Sequence, residues 1–125
     1  MPASVDQLLA EARATIGHRP GPDELDAFVA AGAFVVDIRP SEQRRRDGEL
    51  PGAVIVDRNV LEWRLDPAGE HRLPDGPAAG QRVVLVCNEG YASSLAAVAL
   101  RRLGLEATDL DGGYQAWRNY SSSAG

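Results

Sequence analysis

The chain contains no lysine, a single cysteine and no long apolar run. One cysteine can form neither an internal disulfide nor a multi-cysteine zinc site, so the sequence predicts no secreted disulfide scaffold. No apolar stretch approaches the roughly 18 to 20 residues that span a bilayer, and the N-terminus lacks a basic region followed by an apolar core. We therefore expect a cytoplasmic protein that has no membrane partner.

Positive charge is also scarce. The formal net charge is −5, and all 13 basic residues are arginines, three of them consecutive at residues 44–46. An acidic domain repels nucleic-acid backbones, so we expect no nucleic-acid partner. The two histidines, His18 and His71, have no neighbours at ligand spacing, and no motif calls for a metal or an organic cofactor. The sequence leaves the oligomeric state open.

The 125 residues, 44% of them hydrophobic, suit one globular domain. Apolar patterns predict strands over residues 34–38, 53–57 and 82–87, with a brief strand after residue 105. A capping box at Ser4 and Gln7 opens a first helix, and helical spacing predicts further helices over 23–33 and 92–105. A final helix that carries Trp117 is expected after the glycine turn. This alternation predicts an α/β fold in three layers, with a mostly parallel central sheet and helices on both faces. We expect residues 1–22 to form an N-terminal helix and linker, 23–119 the core, and 120–125 a disordered tail.

The helix over residues 92–105 is expected to turn one apolar side toward the sheet. Its inward residues are predicted to be Leu95, Val98, Ala99 and Leu103, with Gly104 closing the helix. The second helix is expected to bury Leu25, Phe28 and Val29.

Cys87 follows the strongest predicted strand, at the sheet edge where ligands bind in parallel α/β proteins. A tight turn and a helix start come next, so backbone N–H groups of residues 88–93 are expected to surround a thiolate or a bound anion. A helix N-terminus favours the ionised thiol and its nucleophilic reactivity. The alternative is a buried structural thiol, the usual state of a lone cysteine.

Three stretches resemble the rhodanese-like domain family. The stretch "VVLVCNEGYASSLAAVALRRLGL" with "DLDGGYQAW" is similar to the family's active-site half. The stretch "FVVDIRPSEQ" is similar to its Asp-x-Arg motif, and "GELPGAVIV" to its Gly-His-x-Pro-Gly-Ala motif. The three motifs occur in the family's order and cover about residues 23–119.

The resemblance implies a sulfurtransferase in which Cys87 takes the outer sulfur of a thiosulfate- or persulfide-type donor and passes it to a nucleophilic acceptor. The donor would be a small molecule or a persulfide-bearing protein. The family's six-residue loop corresponds to Cys87, Asn88, Glu89, Gly90, Tyr91 and Ala92, with Ser93 opening the helix. Cysteine phosphatases place arginine at the position of Ser93, which argues against phosphatase chemistry.

The loop departs from thiosulfate-using members because it carries an acid, Glu89, and no cation. An inward carboxylate would oppose a thiolate, so a working enzyme should turn Glu89 outward. Arginines outside the loop are candidates to bind the substrate: Arg44, Arg45, Arg46 and Arg58. Glu49 replaces the histidine common in the family's second motif, a position that we interpret as structural.

Several residues keep two interpretations. Asp37 and Arg39 are interpreted as a structural ion pair rather than a catalytic one, and Tyr91 either covers the sulfur or packs in the loop. The turn over residues 111–114 receives no chemical role. For the whole protein, the alternative to an enzyme is a non-catalytic module that binds a partner protein or regulates it.

Overall fold

The fold comprises ten regular elements, seen in a computed structural model that describes residues 1–124. The helices are α1 (Val5–Ile16), α2 (Pro22–Ala30), α3 (Ser41–Asp47), α4 (Leu61–Leu65), α5 (Ala92–Arg101) and α6 (Gly113–Ala124). The strands are β1 (Phe34–Asp37), β2 (Val54–Ile55), β3 (Arg82–Val86) and β4 (Glu106–Asp109). A 3₁₀ turn, Arg58–Val60, precedes α4. None of the helices in these residues has both the length and the apolar character needed to cross a membrane.

The four strands form one parallel sheet in the order β2-β1-β3-β4. From β1 the chain first runs to β2 on one side and later returns to β3 on the other. The carboxyl ends of β1 and β3 therefore border the crevice where the strand order reverses, which is the usual ligand site of such sheets. Asp37 ends β1 and Cys87 follows β3, so both lie at this crevice.

Two hydrophobic clusters cover the two faces of the sheet. Residues alternate along β3, with Val83 and Leu85 in one cluster and Val84 and Val86 in the other. Helices α1, α4 and α5 contribute to the first cluster, and α2 and α6 contribute to the second. The predicted three-layer α/β fold, with helices on both faces of a parallel sheet, is thus confirmed.

Helix α5 faces the sheet with small residues rather than with its large apolar ones. Its buried residues are Ser93, Ser94, Ala96, Ala97 and Leu100. The prediction for Leu95 is wrong, because that side chain is 39% exposed, whereas Val98 and Leu103 are partly buried against the first cluster. Two serines are buried because their hydroxyls reach a carboxylate on β4, a contact that hydrophobic periodicity does not reveal.

The structure also differs from the sequence predictions at α2, at α3 and at the C-terminal end of α6. Val29 is exposed rather than inward, because α2 buries Leu25 and only part of Phe28. Helix α3 was not predicted, since it buries none of its residues and so shows no apolar periodicity. The predicted disordered tail is helical in the structure: α6 continues to Ala124, and Gly125 lies outside the described residues.

The N-terminal helix begins as predicted. The Ser4 hydroxyl accepts from the Gln7 amide, and the Gln7 side chain accepts from the Ser4 amide. The helix then packs along α5, and Ile16 is part of the first cluster. The segment before residue 23 thus shares the core of the sheet.

The orientation of α5 is testable with two leucines of the same helix. Leu100→Ala should lower the free energy of unfolding by about 2 to 5 kcal/mol, because it opens a cavity in the first cluster. Leu95→Ala should cost less than about 1 kcal/mol, because that side chain is already partly in water. Chemical denaturation of both variants checks this, and equal losses would contradict the observed orientation.

Candidate active site

Cys87 lies at the base of a pocket of about 360 Å³. Its side chain is 8% exposed. The pocket walls come from the chain after β1, from Arg58 and from the loop between β3 and α5. The lining residues are Ile38, Arg39, Pro40, Gln43, Arg58, Cys87, Asn88, Glu89, Tyr91 and Ala92.

The loop after β3 turns hydrogen-bond donors toward the sulfur. The Gly90 and Ser93 amides lie 3.2 and 3.4 Å from Cys87 Sγ, and Ser93 Oγ lies 3.1 Å from it. Ser93 belongs to the first turn of α5, so the positive end of that helix also points at the sulfur. Of the amides expected over residues 88–93, these two reach the sulfur in the described chain. The two amides and the helix terminus stabilise negative charge on sulfur, whereas the Ser93 hydroxyl oxygen accepts from the thiol.

A buried polar network continues from Ser93 behind the sulfur. Ser93 Oγ and Ser94 Oγ donate to Asp109 Oδ2 over 2.6 and 2.8 Å. Arg19 donates to both oxygens of the same carboxylate, over 2.7 Å from Nε and 3.1 Å from Nη2. Asp109 is fully buried at the end of β4. A buried carboxylate needs this set of donors, because its desolvation is otherwise costly.

Two arginines from the N-terminal segment hold the loop from outside. Arg13 and Arg19 each donate to the Gly90 carbonyl, over 2.8 and 3.0 Å. The Arg13 guanidinium also lies 5.8 Å from the ring centroid of Tyr91. Burial acts to lower the pKa of Arg19, but its hydrogen bond to Asp109 and the charges of Asp109, Asp111 and Cys87 outweigh that effect and raise it.

Helix α6 holds the other side of the loop. The Tyr114 and Gln115 amides donate to the carbonyls of Cys87 and Asn88, over 2.8 and 3.0 Å. The Gln115 side chain also donates to Asn88 Oδ1 over 2.9 Å. Asn88 therefore anchors the loop as well as lining the pocket.

The end of β1 is held by a second buried ion pair. Arg39 Nη2 lies 2.7 Å from Asp37 Oδ2, and Arg39 also donates to the Gly48 carbonyl over 3.0 Å. The ring of Tyr114 lies 3.8 Å from the guanidinium carbon. These contacts agree with the structural interpretation of Asp37 and Arg39, although Arg39 also borders the pocket.

The candidate substrate-binding residues are only partly brought together. Cys87, the loop, Ser93 and Arg58 surround one site. Arg45 and Arg46 do not line the pocket, because α3 exposes Arg45 and turns Arg46 toward Asp47. Arg44 instead donates to the Arg39 carbonyl over 2.7 Å. Those three arginines are therefore not pocket residues.

Glu89 is exposed at the mouth of the pocket. It makes no ion pair with any residue of the described chain. The carboxylate is thus turned toward water while it still borders the entrance.

Comparison with known proteins identifies the family. The model of the rhodanese-like domain matches residues 21–120. The chain belongs to the rhodanese-like domain family. The resemblance drawn from the three sequence motifs is thereby confirmed.

Individual relatives agree with this family. The thiosulfate sulfurtransferase GlpE of Stutzerimonas stutzeri is 31% identical over 102 residues, which cover 78% of this chain and 82% of that protein. The structure of TT1651, a rhodanese homologue of Thermus thermophilus, is 35% identical with a TM-score of 0.59, over 79% of this chain and 99% of the other. RPA3614 of Rhodopseudomonas palustris, described as a possible tyrosine phosphatase, is 28% identical with a TM-score of 0.83, over 97% of this chain and 93% of its own.

Within this rhodanese-like domain, sequence reasoning missed the residues behind the sulfur. Asp109 could have been assigned to the site from the sequence, because it ends the strand that follows Cys87 in the chain and so lies at the same sheet edge. Arg13 and Arg19 could not, since each contacts residues more than 70 positions away in the chain. Gly113 was assigned only to a turn.

Gly113 allows the turn before α6 to lie directly against the cysteine loop. Its φ is +62°, and a Cβ there would meet the Cys87 carbonyl at 2.6 Å and the Gly90 amide at 2.7 Å. A side chain at this position would therefore displace the loop that surrounds the sulfur.

Gly113→Ala should lower the free energy of unfolding by about 3 kcal/mol, because strain and overlap add. It should also slow alkylation of Cys87. Gly80→Ala is the matched control: its φ is +78° with no atom within 4 Å, so it should cost about 1 kcal/mol and leave alkylation unchanged. Denaturation and iodoacetamide kinetics on both proteins check this. Equal losses of stability and equal alkylation rates in the two variants would show that the contact of Gly113 with the loop does not support the site.

Proposed function

We propose that this protein is a sulfurtransferase that carries sulfane sulfur as a persulfide on Cys87. The observation that carries the proposal is the position of Cys87 Sγ, at the base of an open pocket with the Gly90 and Ser93 amides 3.2 and 3.4 Å away. Donors at this position stabilise the thiolate that attacks and the anionic sulfur that it then carries. The family and the sulfurtransferase relative agree with this chemistry.

The reaction needs no external oxidant or reductant. The Cys87 thiolate attacks the outer sulfur of a donor R–S–SH, so a new S–S bond forms as the donor's S–S bond breaks. The donor leaves as the thiol R–SH, and Cys87 keeps the sulfur as a persulfide. A nucleophilic acceptor then takes the outer sulfur, and the Cys87 thiolate is regenerated.

The charges around the pocket favour an organic persulfide over the thiosulfate dianion. Two cations line the pocket, and each already pairs with a carboxylate: Arg39 with Asp37, and Arg58 with Glu62 at 2.8 Å. Glu89 adds an unpaired negative charge at the entrance. Ile38, Pro40 and Ala92 make much of the remaining wall apolar. A dianion finds no free cation there, whereas a thiol-derived persulfide finds apolar contacts.

Phosphate chemistry is less favoured by the same geometry. A cysteine phosphatase clamps its phosphate with an arginine at the position of Ser93. Arg13 and Arg19, which contact this part of the loop, both donate to the Gly90 carbonyl and do not line the pocket. The likeness to RPA3614 therefore supports the shared fold rather than phosphate transfer.

One observation favours a second function, a protein-interaction module. Apolar side chains are exposed beside the cysteine loop, with Tyr91 at 59% and Leu95 at 39% of their surface. Val5 and Leu9 of α1 border the same shallow hollow. Such a surface suits a partner protein whether or not Cys87 reacts.

Transfer of sulfur from donor to cyanide separates the two functions. Wild-type protein should form thiocyanate with thiosulfate slowly and with an organic persulfide faster, because the pocket offers no free cation. Cys87→Ser should abolish both activities, since the hydroxyl cannot carry sulfane sulfur. Equal activity in the two proteins, or no activity with any donor, would contradict the sulfurtransferase proposal.

The role of the entrance charge is tested by Glu89→Arg. With thiosulfate as the donor, kcat/KM should rise by at least about threefold, mostly through a lower KM, because a repulsive charge becomes attractive. Glu70→Arg makes the same change at an exposed residue that does not line the pocket, and it should have little effect. Unchanged or lower activity in Glu89→Arg would overturn the electrostatic argument.

A further inference from the structure

The direction of the hydrogen bonds to Asp109 determines whether Ser93 Oγ donates to Cys87 Sγ or accepts from it. A carboxylate only accepts hydrogen bonds, so the Ser93 hydroxyl gives its hydrogen to Asp109 Oδ2. The Ser94 hydroxyl lies 2.8 Å from the same oxygen and 3.3 Å from the Gly90 carbonyl, so it favours Asp109. Ser93 Oγ then presents a lone pair to Cys87 Sγ, 3.1 Å away. A thiol S–H can donate to that lone pair, whereas a thiolate can only accept. This orientation of the Ser93 hydroxyl therefore suits the protonated cysteine, although the Gly90 and Ser93 amides suit the thiolate.

When Cys87 is ionised, the hydrogen bond of the Ser93 hydroxyl has to change its acceptor. The hydroxyl hydrogen of Ser93 must turn from Asp109 to the sulfur, where it becomes a charge-assisted donor. Asp109 then loses its 2.6 Å bond but keeps Ser94 and the two contacts from Arg19. Without Arg19 the carboxylate would retain one donor, and a buried carboxylate in that state is strongly destabilised.

We propose that Arg19 is a positioning residue for the reaction of Cys87: by holding Asp109 through both carboxylate oxygens, it frees the Ser93 hydroxyl to donate to the sulfur. The proposal rests on the proposed sulfurtransferase function. It assigns a role to the segment before residue 21, where the family match begins.

The surroundings of Arg19 support this role. Its side chain is only 12% exposed, and its partner Asp109 is fully buried, so solvent screens the pair weakly. Burial acts to lower the pKa of Arg19, but the hydrogen bond to Asp109 and the charges of Asp109, Asp111 and Cys87 raise it. Arg19 thus supplies a positive charge beside the cysteine loop, which itself carries no cation.

The rate at which iodoacetamide alkylates Cys87 in the native protein tests the proposal. Arg19→Gln should slow alkylation by at least about tenfold, the equivalent of roughly 1.4 kcal/mol. Asp109→Asn should slow it less than Arg19→Gln does, because a neutral amide does not oppose the thiolate. The double variant should return to within about threefold of the Asp109→Asn rate, since it removes the carboxylate that Arg19 neutralises.

Arg101→Gln is the matched control for loss of a partly buried arginine. Arg101 joins α5 to the Ala107 and Ile16 carbonyls over 2.7 and 2.9 Å and contacts no residue of the network. It should lower stability without changing the alkylation rate. Circular dichroism at the assay temperature verifies that each variant is folded.

Two results would overturn the proposal: alkylation of Arg19→Gln at the wild-type rate, or a double variant as slow as Arg19→Gln. If Arg19→Gln does not fold, Arg19→Lys replaces it. One ammonium group does not reproduce the two-oxygen contact, so we expect slower alkylation than in wild type, and an unchanged rate counts against the proposal. Alkylation requires no sulfur donor, so these results stand apart from a failure of sulfur transfer in the wild-type protein.

Discussion

The buried carboxylate of Asp109 is the interaction on which the reactive site depends. It accepts from two serines of α5 and from Arg19 of the N-terminal segment, so three separate parts of the chain meet behind Cys87. Its burial at the end of β4 makes each of these donors necessary. The requirement explains why α5 buries two serines and why Arg19, which follows α1, is turned toward the end of β4.

The pairing of charges at the carboxyl edge of the sheet determines the electrostatic character of the pocket. The crevice between β1 and β3 has a buried aspartate–arginine pair at the end of β1, and another lies at the end of β4. Arg39 pairs with Asp37 and Arg58 pairs with Glu62, so neither of the two cations that line the described pocket over Cys87 is unpaired. The negative charge of a thiolate is balanced by backbone amides and a helix terminus instead. The proposed sulfurtransferase function therefore predicts a preference for donors that bring little negative charge.

Local sequence signals predicted the fold and the position of Cys87 at the carboxyl edge of the sheet. The continuous apolar runs identified the strands, and the order of strands and helices identified the layers, because buried parallel strands have that composition. The same signals failed where a polar contact decided the structure. Ser93 and Ser94 are buried on account of Asp109, and Arg19 reaches that carboxylate across 90 positions of the chain. Arg45 and Arg46 were misplaced because the exposed helix that carries them has no apolar pattern.

The central claim is that Cys87 carries sulfur, and the mass of the protein tests it most directly. Purified protein is incubated with an organic persulfide, separated from it without reductant, and analysed intact and after digestion. The account predicts an increase of about 32 Da, one sulfur atom, on the peptide that contains Cys87, and its loss on treatment with cyanide. An unmodified Cys87 after exposure to persulfide and thiosulfate donors alike would contradict it.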